Sequence, residues 1–189
     1  EATNLDLTGD LQLGGLRHRV LLGVDAYRFH ADWRGVSDVT AELPPIDIFA
    51  PTYGARADVL RALPENFTFA SRERWTGLYA QDQITLDDRW QVLVGGRFDD
   101  ATTDGETDRA FSPRLAVLHR VNPQTSLYAS FAKSFGSNNG RSATGGRIDP
   151  QQARQFELGA KHVSVDGRLT ATAALFHLTK TNEQTDDPS

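Results

Sequence analysis

The sequence predicts an all-β chain of antiparallel, up-and-down strands, and three observations carry that prediction. Apolar and polar residues alternate with period two along seven separate stretches, the spacing of a strand whose two faces meet different surroundings, and an eighth stretch is apolar on both faces. The stretches are roughly ten residues long, against the five or six usual in soluble sandwiches. Their connections alternate between short and long, as an up-and-down arrangement requires when one end carries tight turns and the other carries loops.

The first stretch, 3–13, is the clearest, with Leu5, Leu7, Leu11 and Leu13 set between Asn4, Asp6, Thr8, Asp10 and Gln12. After a turn at 14–17, a second stretch over 18–33 places Val20, Leu22, Val24 and Ala26 opposite Arg19, Gly23 and Asp25. Over 72–86, Leu78, Ala80, Ile84 and Leu86 oppose Tyr79, Gln81 and Gln83, and over 89–99 Trp90, Val92, Val94 and Phe98 oppose Gln91, Gly95, Arg97 and Asp99. Over 110–121, Phe111, Leu115 and Val117 oppose Ser112, Arg114 and Arg120. Over 125–135, Leu127, Ala129, Phe131 and Phe135 oppose Tyr128, Ser130 and Ser134. Over 153–165, Phe156, Leu158 and Ala160 oppose Gln155, Glu157 and Lys161. The last stretch, 168–181, is small and apolar on both faces (Ala171, Ala173, Ala174, Leu175, Phe176), which leaves its orientation open.

Composition narrows the class. Hydrophobic residues make up 39% of the chain and the mean hydropathy is -0.45, with no apolar run near the roughly 20 residues that a membrane-spanning helix needs. A membrane β-barrel remains compatible, because its strands are apolar on one face only. A net charge of -5 with no basic run argues against a nucleic-acid binder. With no cysteine there is no disulfide framework, no CxxC site and no thiol nucleophile.

The connections point to a barrel rather than a sandwich. Short turns are expected at 14–17, 87–89, 122–124 and 166–167, and long connectors at 34–68, 100–109 and 136–152. Tight periplasmic turns alternating with longer extracellular loops are a property of outer-membrane barrels. On this count both chain ends fall on the long-loop side, whereas a complete even-stranded barrel keeps both in the periplasm. The expectation is therefore a segment of a larger barrel. The chain begins Glu1-Ala2-Thr3, with neither an initiator Met nor a signal-peptide pattern, which fits a processed or internal segment.

Ordered motifs then give a family resemblance. Arg74-Trp75-Thr76-Gly77-Leu78-Tyr79-Ala80-Gln81-Asp82-Gln83 resembles the TGxYxQDQ strand of TonB-dependent siderophore receptors. It is followed by Arg89-Trp90-Gln91, Gly95-Gly96-Arg97-Phe98-Asp99 and Phe111-Ser112-Pro113-Arg114-Leu115. Next come the run from Ser126 to Phe135, the run from Gln155 to Lys161 and the run from Leu175 to Asn182. Each piece is weak alone, but together and in this order they cover 70–185. Ile46 to Gly54 looks like an extracellular-loop segment of ferrichrome- and pyoverdine-type members. The resemblance implies about eight strands of a 22-stranded barrel, with residues 1–189 as a partial barrel domain lacking the N-terminal plug domain and the TonB box. It also implies a Gram-negative outer-membrane location, a ferric siderophore as cargo, and as partners the plug, TonB and outer-membrane lipid.

Candidate functional residues divide by position. Phe49, Tyr53, Asn139 and Arg141 lie in the long connectors, where cargo would arrive; aromatic faces offer contact area and Arg141 a charge for an anionic chelate. Loop packing explains the same residues. Arg97, Asp99 and Arg114 are expected on the polar face, pairing with neighbouring strands or with the plug. Gly95 and Gly96 are read as relieving crowding, and Ser112-Pro113-Arg114 as beginning a strand, where Pro is tolerated. Trp75, Trp90, Tyr128, Phe131 and Phe135 read as interfacial aromatics. His18, His30, His119, His162 and His177 have no metal-ligand spacing and read as isolated side chains, and no cofactor is expected beyond iron carried inside the cargo. There is no GxSxG elbow, P-loop or other catalytic motif. Competing readings are a receptor for cobalamin, another metal chelate or an oligosaccharide, a complete small barrel acting as an adhesin or structural protein, and a soluble β-rich enzyme or lectin.

Overall fold

A computed structural model describes residues 1–35, 47–51, 67–137 and 140–185. Eight strands follow in order: β1 (Ala2–Leu13), β2 (Leu16–Gly35), β3 (Phe67–Thr85), β4 (Trp90–Thr103), β5 (Glu106–Asn122), β6 (Thr125–Gly136), β7 (Gln151–Val163) and β8 (Thr170–Thr181). They form one sheet in sequence order, with β1 and β8 at its edges. Every strand pairing with a resolved register is antiparallel.

Strands of 12 to 20 residues exceed the length expected from the sequence. The largest difference is at 100–109, which is not a long connector. Thr102 and Thr103 continue β4, Glu106 and Thr107 begin β5, and Asp104-Gly105 alone makes the turn with φ of 50° and 90°. Two consecutive positive φ values are the signature of a tight hairpin turn, and Asp-Gly is a favoured pair for it. The first turn is shorter than expected too, since only Gly14 and Gly15 lie between β1 and β2.

Register converts the alternation into two continuous faces. Val92 pairs with Val117, Val94 with Leu115 and Phe98 with Phe111. Leu115 then meets Phe131, Phe131 meets Phe156, and Leu158 meets Leu175. This fixes the orientation that the sequence left open in β8: Ala171, Ala173, Leu175 and His177 join the apolar face, while Thr172, Ala174, Phe176 and Leu178 join the other. Between Arg120 and Asn122 the register shifts, a one-residue bulge at the tight-turn end of β5.

Burial is inverted relative to a water-soluble domain. Among the described residues the buried apolar set is Ala31 and Ala101, whereas Ser71, Asp99 and Asp108 are buried and polar. Leu7, Val94, Phe111, Leu158 and Leu175 all stand exposed. An apolar face this continuous needs a nonaqueous neighbour, because water would charge about 25 cal/mol for each Å² left uncovered.

Pro113 lies inside β5 rather than at its start. The ladder between β5 and β6 begins at Arg114–Ala132, so Pro113 marks its upper limit, where a residue without an N–H costs no ladder bond. Two compact units are distinguished, 1–28 with 73–189, and 29–72. In the second, Trp33 and Phe69 meet edge to face with ring centroids 6.5 Å apart.

Candidate functional site

The polar face of the first unit carries a network built by long side chains crossing over glycines. Gly77 on β3 leaves room for the Arg97 guanidinium, since a Cβ there would sit 1.9 Å from its Nη2. Arg97 passes over that gap to Asp25 on β2, donating through Nη1 and Nη2 at 2.5 and 2.8 Å. Its Nε donates to Asp99 at 2.6 Å, and Trp75 Nε1 donates to the same carboxylate oxygen at 2.7 Å. Asp99 is 3% exposed, so these two donors replace the water its charge has lost.

The neighbouring crossing uses the same device. The Tyr79 ring lies over Gly23, where a Cβ would be 2.1 Å from it. Its hydroxyl donates to Asp6 at 2.5 Å and accepts from Asn4 at 2.8 Å, tying β3 to β1 across β2. Tyr128 covers Gly159 and donates to Glu157, and the Lys161 ammonium sits 5.5 Å from the Tyr128 ring centroid. Gly23, Gly77 and Gly159 therefore mark places where a side chain from the next strand needs the space of a missing Cβ. The sequence reading of Gly96 as a relief of crowding holds in this form, because Phe111 occupies its face.

The expected polar-face residues fall where the alternation places them. Arg97 and Asp99 form the network, and Arg114 is exposed on the same face opposite Gly95, with no hydrogen-bond or ion-pair partner among the described residues. Together with Asp25, Trp75, Tyr79 and Phe135 they line a cleft of about 540 Å³. A second buried acid on this face, Asp108, is paired with Arg147 from the segment between β6 and β7.

Other expectations require correction. Trp75 and Phe135 are not interfacial aromatics of the apolar face, while Tyr128 keeps the polar face that the alternation gives it. Trp75 is bonded to Asp99, Tyr128 to Glu157, and Phe135 packs on Trp75 with ring centroids 5.4 Å apart. Phe135 pairs with Gln152 in an unbroken β6–β7 ladder, beyond the Arg114–Ala132 end of the β5–β6 ladder, and its ring nonetheless reaches Trp75. Trp90 keeps its expected face, beside His119 at 4.2 Å. His18 is not isolated either, for its Nδ1 lies 2.7 Å from Asp82 Oδ2. Among the described residues no group of His, Cys, Asp and Glu is placed to hold a metal ion.

Of the connector candidates, Phe49 belongs to the second unit, 92% exposed, with its N–H donating to Asp47 Oδ1 at 2.8 Å. Arg141 belongs to the first, exposed, and donates to the Gly145 carbonyl at 3.3 Å. Tyr53 and Asn139 lie outside the described residues. The sequence reading missed Asp25, Asp108 and Arg147; only strand neighbourhood brings them to the site.

At the tight-turn end, Asp87 caps its own turn. Its Oδ1 accepts the N–H groups of Arg89 and Trp90, each at 2.7 Å. The Arg89 bond first, then that of Trp90, holds this carboxyl below its ordinary range.

An open antiparallel sheet with one apolar face and one charged face has the pattern of a membrane β-barrel wall, whose interior is polar and whose outer band is apolar. The chain belongs to the TonB-dependent receptor-like β-barrel family, whose model matches residues 2–189. It is 35% identical over 204 residues to the metal-pseudopaline receptor CntO of Pseudomonas aeruginosa, covering 99% of this chain and 28% of that protein. It is 30% identical over 205 residues to the ferrioxamine B receptor of Salmonella typhimurium, with the same coverage of 99% and 28%. Among solved structures, the ferripyoverdine receptor of the outer membrane of Pseudomonas aeruginosa matches with a TM-score of 0.76 at 22% identity, over 98% of this chain and 26% of that one. The alcaligin outer-membrane receptor FauA of Bordetella pertussis matches with a TM-score of 0.71 at 25% identity, over 100% and 30%. The chain thus spans a little over a quarter of the length of these curated relatives.

Proposed function

We propose that this chain is part of the barrel wall of an outer-membrane receptor that imports ferric siderophores. The observation carrying the proposal is the register-aligned separation of faces: exposed Leu7, Val94, Phe111 and Leu158 on one side, buried Asp99 and Asp108 on the other. That pattern suits a strand wall between lipid and a polar interior, and the relatives' names point to metal chelates as cargo. Arg114, without a partner among the described residues, pairs in this reading with a carboxylate of a plug domain inside the barrel. Arg141 in the first unit and Phe49 in the second, each taken by itself, are the candidate cargo contacts. TonB supplies the coupling to the inner membrane, and iron enters only within its chelator. The assignment makes the protein a carrier, with no catalytic step.

Uptake tests the proposal. A strain lacking the gene is compared with one carrying the full-length receptor, using labelled ferrioxamine B, ferrichrome and ferric pyoverdine. Gene-dependent uptake of at least one is expected, and uptake of none refutes the ferric-siderophore reading. A second reading, import of a different metal chelate, is favoured by the 35% identity to the metal-pseudopaline receptor. Gene-dependent uptake of metal-loaded pseudopaline, with none of the ferric chelates taken up, selects it.

A further inference from the structure

Residues 140–148, between β6 and β7, fold on themselves and are tied to β5 by the ion pair of Arg147 with Asp108. Arg141 and Arg147 face each other in an antiparallel bridge. Ser142 N–H donates to the Gly146 carbonyl at 2.8 Å, Gly145 N–H to the Ser142 carbonyl at 2.8 Å, and Ile148 N–H to the Gly140 carbonyl at 3.3 Å. Gly145, with a φ of 81°, supplies the left-handed residue that closes the turn. This is a small hairpin, held further by Arg141 on the Gly145 carbonyl and by Gly146 N–H on Ser142 Oγ at 3.0 Å.

What the hairpin touches is informative. Arg147 pairs with Asp108, whose side chain is 7% exposed, while Arg147 itself remains about a third exposed at 36%. Asp108 stands opposite Ala101, which stands opposite Trp75, so the anchor lies on the polar face in the row directly above Asp99. It also lies above Pro113, where β5 has parted from β6. A carboxylate buried there has Arg147 as its charged partner among the described residues. Withdrawing the guanidinium would leave an uncompensated buried charge, which keeps the contact closed.

We infer that Arg147 is a positioning residue: through Asp108 it latches the 140–148 hairpin onto the polar face of β5 and so presents Arg141 at the cargo entrance. The cargo half of this inference rests on the proposed import function, and the latch half does not. The chain contains no cysteine, so a nitroxide can be placed at the exposed hairpin tip by Ala143→Cys in the full-length receptor with no competing thiol in this segment. The spin-label spectrum is read in that background, in the background with Arg147→Ala, and in that with Arg147→Lys. A restricted spectrum, mobile with Ala and largely restored with Lys, is expected; an unchanged spectrum with Ala overturns the latch. Binding of metal-loaded pseudopaline and ferrioxamine B is then measured on the same proteins without label. About tenfold weaker binding with Ala, recovered with Lys, supports the cargo role. Unchanged affinity for a chelate that the parent receptor binds overturns that role. If the parent binds neither chelate, the cargo role falls with the import reading for these probes, while the spectra still decide the latch.

Discussion

Replacing Arg97 by Met removes the guanidinium but keeps much of the stem, so its cost isolates the charged network on the polar face. Two pairs are lost. The one to Asp25 is partly open, with side chains 32% and 30% exposed, and pairs of that kind contribute about 0–1 kcal/mol. The one to Asp99 differs, because that carboxylate is 4% exposed by side chain and, among the described residues, keeps the Trp75 N–H as its remaining side-chain donor after the change. Breaking a buried pair by removing one partner costs about 3–5 kcal/mol. With Arg97 itself a third exposed and able to lend some solvent screening, the lower end is expected, about 3 kcal/mol in all. The control is Arg109→Met, which breaks a 2.7 Å pair to Asp100 between side chains 69% and 32% exposed and should cost under about 1 kcal/mol. Urea unfolding of the full-length receptor in lipid vesicles, followed by the gel-mobility difference between folded and unfolded barrel, gives both values. A cost for Arg97→Met no greater than that for Arg109→Met would mean that the Arg97–Asp99 pair does not stabilise the wall. Adding Asp99→Asn to Arg97→Met should recover part of the loss, since the orphaned charge is then gone.

Three further changes probe the faces, the glycine gaps and the turn. Val94→Arg, on the apolar face, should destabilise the barrel by about 2–4 kcal/mol if that position lies near the bilayer midplane, and Gln91→Arg on the opposite face of β4 by less than about 1 kcal/mol, both read by the same unfolding assay. Gly23→Ala drives a Cβ into the Tyr79 ring and should cost about 1–2 kcal/mol through loss of its bonds to Asp6 and Asn4. Gly9→Ala, whose Cβ would meet nothing nearer than Leu11 at 4.0 Å, should be neutral or slightly stabilising. Asp87 has a lowered folded-state pKa, so its contribution is fully present above its ordinary value of 3.8 and is lost as pH falls through the lower folded value. Asp87→Asn should therefore flatten the acid limb of the stability profile below pH 3.8 and leave its shape at neutral pH unchanged.

Much of the wall was legible because a strand between two unlike media writes its period directly into the sequence. The stretch from Trp90 to Asp99 shows this best, with every residue on the face that the alternation assigns. Where both faces are apolar, as in β8, the period carries no orientation, and only pairing with Leu158 and Ala160 supplies it. The polar cluster 102–107 read as a loop because Thr and Asp are common there, yet threonine is also a strand former and the turn needed only Asp104-Gly105. The site was half legible. Arg97 and Asp99 declare themselves as charges two apart on one face, but Asp25 is 72 positions from Arg97 and meets it only because Gly77 leaves the path open. Arg147 and Asp108 are likewise joined by a hairpin whose direction no local pattern encodes.

In the proposed receptor the two faces of this sheet meet lipid and a polar interior respectively. Single cysteines along β4 from Trp90 to Thr103, spin-labelled one at a time in the full-length receptor in vesicles, distinguish the two surroundings. Collision with oxygen, which concentrates in lipid, is compared with collision by a water-soluble nickel chelate. Alternation with period two is expected, with oxygen contact at Val92, Val94 and Phe98 and nickel contact or protection from both reagents at Gln91, Gly95, Arg97 and Asp99. Alternation of the opposite phase, or none across the strand, would contradict it.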